Sequence, residues 1–190
     1  MHFEFDRNNK YGKVGVGFMG EVITIGLLSE EDKEATRNVL VASYEQFKNS
    51  YTNIEDYYTY IGEIKESLDN PNLDRVLVAK SGEEVLGTLQ LFLSSEMAYG
   101  RPEIEIHAPI VRLLGVHPSA RGKGIARKLL AESIDYAKQL GANSLYLHTT
   151  DKMSDAIRLY EGLGFKRDQE KEFLKYDFLV KCYRFYIESV

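Results

Sequence analysis

Arg121-Gly122-Lys123-Gly124-Ile125-Ala126 stands between an apolar run that ends at Val116 and a segment of helical periodicity. Those residue types in that place suit an anion. The first amides of a helix have no partners inside the helix, and the helix dipole puts partial positive charge at the same end. Glycines at 122 and 124 let the backbone come against phosphate oxygens with no Cβ between. Arg121, Lys123, Arg127 and Lys128 add charge, and Pro118 breaks strand pairing just before the turn. Taken alone, the loop would serve equally as a surface turn whose glycines allow positive φ. A second glycine pattern, Gly15-Val16-Gly17-Phe18-Met19-Gly20, has the spacing of a dinucleotide fingerprint. A strand-like run follows it, so no helix N-terminus is offered to a pyrophosphate.

Two side chains could move protons. Tyr160 recurs with Ile157 and Leu163 on one face of a short helical pattern, which by itself describes a core tyrosine. His148 lies in the strand-like run 144–149, where alternation puts Tyr146, His148 and Thr150 on one face and Leu145 and Leu147 on the other. An amine with a pKa near 10.4 is free in only about one molecule in a few thousand at pH 7. An imidazole could relay its proton, and a hydrogen-bonded structural histidine fits the same position. Glu103, Glu105 and His107, just before the run 110–116, fit either solvated loop residues or bases acting through water, and His117 reads as a surface residue. Cys182 is the only cysteine, which excludes an intrachain disulfide and fits a small buried hydrophobe.

The elements that must position these residues follow from periodicity. Residues 21–28 read as a strand. Ser29 with Glu30, Glu31 and Asp32 signals a helix start, with a helix running to about Phe47 and a second from Asn53 to Leu68. Strands at 75–80 and 85–93 form a hairpin about Ser81-Gly82, and a loop spans 94–109. The strand 110–116 leads through the glycine loop into a helix that carries Ile125, Leu129, Ser133, Ala137 and Leu140 and stops at Gly141. After the strand 144–149, Ser154 can cap a helix that ends at Gly164, and a strand is clearest at 179–187. This order predicts one α/β or α+β domain with a mixed sheet.

The 190 residues, with 44% hydrophobic and 28% charged, suit a globular chain with a full core. The net charge of −5 disfavours a general nucleic-acid surface. Neither a signal peptide nor a membrane span is evident, so the expected location is cytoplasmic. No metal-ligand spacing stands out.

The glycine loop resembles the signature of the GCN5-related N-acetyltransferase (GNAT) superfamily, Gln/Arg-x-x-Gly-x-Gly/Ala, which Arg121, Gly124 and Ala126 fill. The lead-in Leu114-Gly115-Val116-His117-Pro118 looks like that family's Leu-x-Val-x-Pro. Ala156-Ile157-Arg158-Leu159-Tyr160-Glu161-Gly162-Leu163-Gly164-Phe165 is similar to its second signature. The likeness spans about 21 to 187. It implies a domain over 21–190, with residues 1–20 as an extension of unassigned role. It implies a mostly antiparallel central sheet of 6–7 strands, flanked by about four helices and splayed at its central strands. The co-substrate it implies is acetyl-CoA, without a metal. The backbone of Leu114, Gly115 and Val116 would hold the pantetheine arm, and amides from Arg121 through Gly122, Lys123, Gly124 and Ile125 to Ala126 the pyrophosphate. Tyr160 would protonate the departing thiolate, Val116 N–H would hold the oxyanion, and His148 would be the candidate base. Met153 departs from the pattern, standing where many relatives carry a cofactor-contacting asparagine.

The activity implied is transfer of an acetyl group to a primary amine on a small molecule or peptide, with a non-catalytic acyl-CoA-binding module as the alternative. A homodimer is left open. In this family the segment between the first two helices walls the acceptor site. Here it holds Tyr51, Tyr57, Tyr58 and Tyr60 with Glu55 and Asp56, and Glu96, Glu103 and Glu105 follow in the 94–109 loop. Aromatic faces and carboxylates attract ammonium groups, so the expectation is a cationic acceptor.

Overall fold

The computed structural model describes residues 22–175 and 178–188. The glycine pattern at 15–20 and the extension over residues 1–20 lie outside the described residues. The chain runs β1 (Ile23–Leu27), α1 (Lys33–Tyr44), a 3-10 turn at Glu45–Ser50, α2 (Ile54–Glu66), β2 (Arg75–Ser81), β3 (Glu84–Phe92), α3 (Ser95–Tyr99) and β4 (Ile110–Val116). It continues with α4 (Ile125–Gln139), β5 (Ser144–Thr149), α5 (Ser154–Gly162), β6 (Lys166–Arg167), β7 (Phe173–Lys175) and β8 (Phe178–Tyr186). The sheet order is β1-β2-β3-β4-β5-β8-β6, with β7 paired to β8. Every pairing is antiparallel except β4 with β5.

The continuous apolar runs of β2 and β3 are what a sheet covered on both faces requires. Leu77 and Ala79 turn to the face where α4 packs Leu129, Leu130 and Ile134. Val76 and Val78 turn to the other face, against Val39 and Leu40 of α1 and Ile61 and Ile64 of α2. Cys182 is fully buried in a third cluster with Phe92, Ile110 and Tyr146, as a small hydrophobe should be.

Helix ends follow local chemistry, with two departures from expectation. Asn53 caps α2, its side chain accepting from Glu55 N–H. Ser29 does not cap α1: its hydroxyl accepts from Asp32 N–H and closes the preceding turn, and the helix begins at Lys33. Ser154 is the first residue of α5 rather than its cap, and the Met153 cap position supplies no side-chain acceptor. The other end of α5 is a Schellman motif. Phe165 N–H donates to Tyr160 O and Gly164 N–H to Glu161 O, both at 3.0 Å, with Gly164 at φ 97°. The Phe165 ring then packs on Tyr160 with centroids 6.1 Å apart, so the Leu-Gly-Phe ending locks the tyrosine it follows.

The site arises from a defect in the sheet. β4 and β5 pair only at Ile110↔Tyr146 and Val111↔Leu147. The ladder between β3 and β4 shifts register between Thr88 and Gln90, and Leu113 takes the left-handed region at φ 48°. A bulge of this kind adds twist and turns one strand away from its neighbour. Past Val111 the two strands diverge, and a cleft of about 1130 Å³ opens between them.

Candidate functional site

One limb of the cleft is built from backbone. His117 N–H donates to Leu86 O at 2.8 Å, so that pair is bonded across to β3. Bonding alternates along an antiparallel ladder, so the polar groups of Val116, paired with Gly87, face away from β3 into the opening. Gly115 turns its groups to Thr88 instead, and its contribution is space: a Cβ there would collide with the Ser43 side chain of α1. Beyond the strand, Gly122 and Gly124 hold φ of 79° and 75°. Gly124 is the N-cap of α4 and offers no capping side chain, which leaves the first amides of the helix open. Arg121 reaches back to the end of α1 and the turn after it, donating to Ser43 O at 3.3 Å and to Gln46 Oε1 at 3.2 Å. Ile125 anchors the loop in the core. Leu114, Gly115, Val116, Arg121, Gly122, Gly124, Ile125 and Ala126 line the cleft, and Lys123 does not.

Tyr160 and His148 line the same cleft. The Tyr160 ring packs against Phe165 and Tyr183. Its hydroxyl has no hydrogen-bond partner among the described residues, and burial alone pushes its pKa up, so the phenol keeps its proton at neutral pH. His148 has both nitrogens engaged. Nε2 meets Lys171 O at 3.1 Å, and because a carbonyl only accepts, Nε2 carries the proton. Nδ1 therefore accepts from Tyr99 Oη at 2.9 Å. Burial lowers the His148 pKa to about 4, against a smaller upward effect of the Lys171 carbonyl, so the ring is neutral at pH 7.

The residues that sequence reasoning missed are Thr149, Tyr44, Tyr99 and Arg112, which also line the cleft. Thr149 is buried and its hydroxyl has no protein partner among the described residues. Burial pushes the Tyr44 phenol up, with a smaller upward effect of Tyr160 and a smaller downward one of Arg112. Tyr99 closes α3, whose five residues are too few to show periodicity. Its signal was in the caps, Ser94 accepting from Met97 N–H and Gly100 in the left-handed region. Arg112 had a plainer one, as the single charge in the apolar run IVRLLGV.

The acidic residues expected at the acceptor wall are elsewhere. Tyr51 and Tyr60 line the cleft, but Glu55, Asp56, Glu96, Glu103 and Glu105 do not. Glu55 and Asp56 sit in the first turn of α2, where the helix dipole favours them. Tyr57 is a core residue and Tyr58 an exposed one, so the tyrosine run is divided among three environments. Among the described residues no group of three or more His, Cys, Asp or Glu could hold a metal ion. No helix among them is long and apolar enough to cross a membrane.

The arrangement agrees with known proteins. The family model described as the acetyltransferase (GNAT) family matches residues 34–165. The IAA acetyltransferase of Azospirillum brasilense is 31% identical over 121 residues, which cover 59% of this chain and 73% of that protein. N-acetyltransferase 8B of Rattus norvegicus is 32% identical over 90 residues, covering 47% of this chain and only 38% of the relative. Among solved structures, the PaiA N-acetyltransferase of Thermoplasma acidophilum in complex with coenzyme A superposes with a TM-score of 0.61 at 20% identity, over 86% of this chain and 99% of that one. A putative acetyltransferase of Salmonella typhimurium with acetyl-CoA gives 0.59 at 18% identity, over 89% and 96%. At such identities the structures speak to the fold, while the family model covers well over half of the chain. The chain belongs to the GNAT acetyltransferase family.

Proposed function

We propose that the chain is an acetyl-CoA-dependent N-acetyltransferase that passes the acetyl group directly to a primary amine. The observation that carries this reading is the meeting, in one cleft, of the open edge of β4, the uncapped start of α4 and the hydroxyl of Tyr160. Amides from Arg121 to Ala126 would hold the pyrophosphate, and Leu114 and Val116 the pantetheine arm. The Thr149 hydroxyl would take the contact that Met153 cannot make.

The amine nitrogen attacks the acetyl carbonyl, and Val116 N–H meets the oxyanion as it forms. The new C–N bond persists as the C–S bond breaks, and Tyr160 gives its proton to the leaving thiolate. The amine proton has a route through Tyr99, whose own hydroxyl proton can shift to Nδ1 of His148. With its pKa held near 4, His148 accepts only transiently and works as the second member of that relay. Release of free thiol from acetyl-CoA, followed across amines, amino acids, polyamines, aminoglycosides and short peptides, tests the reading. Turnover above hydrolysis with at least one amine is expected, and none with any of them would end it.

A further inference from the structure

The acceptor half of the cleft is cationic. Arg101, Arg112, Lys152 and Lys175 line it. Of the two carboxylates in the lining, Glu63 is 3.5 Å from Lys175 Nζ and Asp155 is paired with Arg158. Arg112 comes from β4. It follows the last β4–β5 pair, where the strands part. Its guanidinium lies 4.7 Å from the Tyr99 ring and 5.5 Å from the Phe92 ring, and Nη1 donates to Ala98 O. It lines the cleft together with Tyr44, Tyr60, Tyr99 and His148. Among the described residues no carboxylate lies within ion-pair distance of Arg112 or Arg101, the nearest named partners being carbonyl and ring.

A half-buried guanidinium stacked on aromatic rings is fixed in orientation, and four of its five N–H donors are not spent on Ala98. Left unpaired it bears a desolvation cost that an anionic ligand would relieve. We propose that the acceptor is a free amino acid whose carboxylate pairs with Arg112 while its amine faces the acetyl group. The walls set the side chain. Tyr51, Tyr60, Tyr99 and Phe173 offer aromatic surface, which suits an aromatic or aliphatic side chain and disfavours a polyamine. This inference rests on the amine acetylation proposed above.

The test compares matched acceptors: phenylalanine, its carboxamide and phenethylamine, with leucine, its carboxamide and isoamylamine, and spermidine as the polycation. Thiol release gives kcat/KM for each in the wild type, Arg112→Gln and Arg112→Lys. The wild type is expected to prefer the carboxylate form at least tenfold over both analogues. That preference should fall close to unity in Arg112→Gln and survive in part in Arg112→Lys. Amine basicity differs between acid and amide, but the ratio taken across the two proteins cancels it. Calorimetric acetyl-CoA affinity reports whether each variant is folded. Should Arg112→Gln fail to fold, the wild-type preferences and Arg112→Lys decide. Wild-type preference for phenethylamine or spermidine, or a carboxylate preference unchanged by Arg112→Gln, overturns the amino-acid assignment and leaves amine acetylation standing. Silence with every amine overturns both.

Discussion

The two halves of the cleft are made from different parts of the chain. The proposed cofactor half comes mainly from two short contiguous stretches, the end of β4 with its glycine loop and the start of α4, and α5 with its Leu-Gly-Phe ending, with Thr149 at the end of β5 beside them. Its working groups are main-chain amides, a bulge and a helix end. The proposed acceptor half gathers side chains from α1, α2, α3, β4, β5 and the β7–β8 pair, segments that span the chain from Tyr44 to Phe178. Backbone sites depend on conformation, which glycine spacing can encode. Side-chain sites depend on which distant segments meet, which a single sequence does not state.

The sharpest way to break the cofactor half is at its cap. Gly124→Glu puts a side chain at φ 75° and a like charge where the phosphates would sit. Acetyl-CoA affinity should fall at least a hundredfold, beyond calorimetric detection, in a protein that keeps its circular dichroism. Unchanged affinity in a folded variant would move the phosphate site elsewhere. Next comes the residue at the junction of the halves. Tyr160→Phe keeps the ring contacts to Phe165 and Tyr183 and removes only the hydroxyl. We expect kcat to drop roughly ten- to a thousandfold with little change in acetyl-CoA affinity. Wild-type kcat in that variant would return Tyr160 to the core.

How much was legible follows the same division. The order of the longer elements, the loop from Arg121 to Ala126, the lead-in and the α5 signature were readable, because periodicity and glycines act locally, while the five-residue α3 inside the expected 94–109 loop and the caps expected at Ser29 and Ser154 were not. The polarity of the acceptor wall was not. The tyrosines and acids near Tyr51 pointed to a cationic acceptor, but Glu55 and Asp56 sit in the first turn of α2 outside the cleft lining, and β4 delivers Arg112 from a distant part of the chain. His148 was readable as a proton-handling type, but its two hydrogen bonds come from Tyr99 and Lys171, which only the folded chain brings to it.

His148 gives a smaller test on the acceptor side. Burial lowers its pKa from an ordinary 6.5 to about 4, so the folded state resists protonation that the unfolded chain accepts. The stabilisation is full above pH 6.5 and is lost as pH falls from there to 4, since only the unfolded state gains a proton in that window. The loss amounts to roughly 3 kcal/mol at the acid end. His148→Gln, which keeps hydrogen-bonding groups but does not titrate, should flatten the fall of Tm between pH 6.5 and 4. An equal slope in both proteins would mean that His148 is open to solvent and not held neutral.

The smallest expected effect separates a ligand contact from a packing defect, because its two consequences have opposite signs. Thr149 is buried beside the cleft with its Oγ1 lacking a protein partner among the described residues. A buried hydroxyl without a hydrogen bond costs about 1–3 kcal/mol. Thr149→Val keeps the β-branched shape that the strand end prefers and removes only the polar atom. The free protein should therefore become more stable, with Tm rising by a few degrees. If the hydroxyl is kept because the pantetheine arm bonds to it, the same change should weaken acetyl-CoA about three- to tenfold, the worth of one neutral hydrogen bond. Thermal melts with and without acetyl-CoA read both effects in one experiment: the variant should start higher and gain less from the cofactor. A variant that starts higher and gains as much as the wild type would make Thr149 a tolerated packing fault, and the cofactor half would then rest on backbone groups alone.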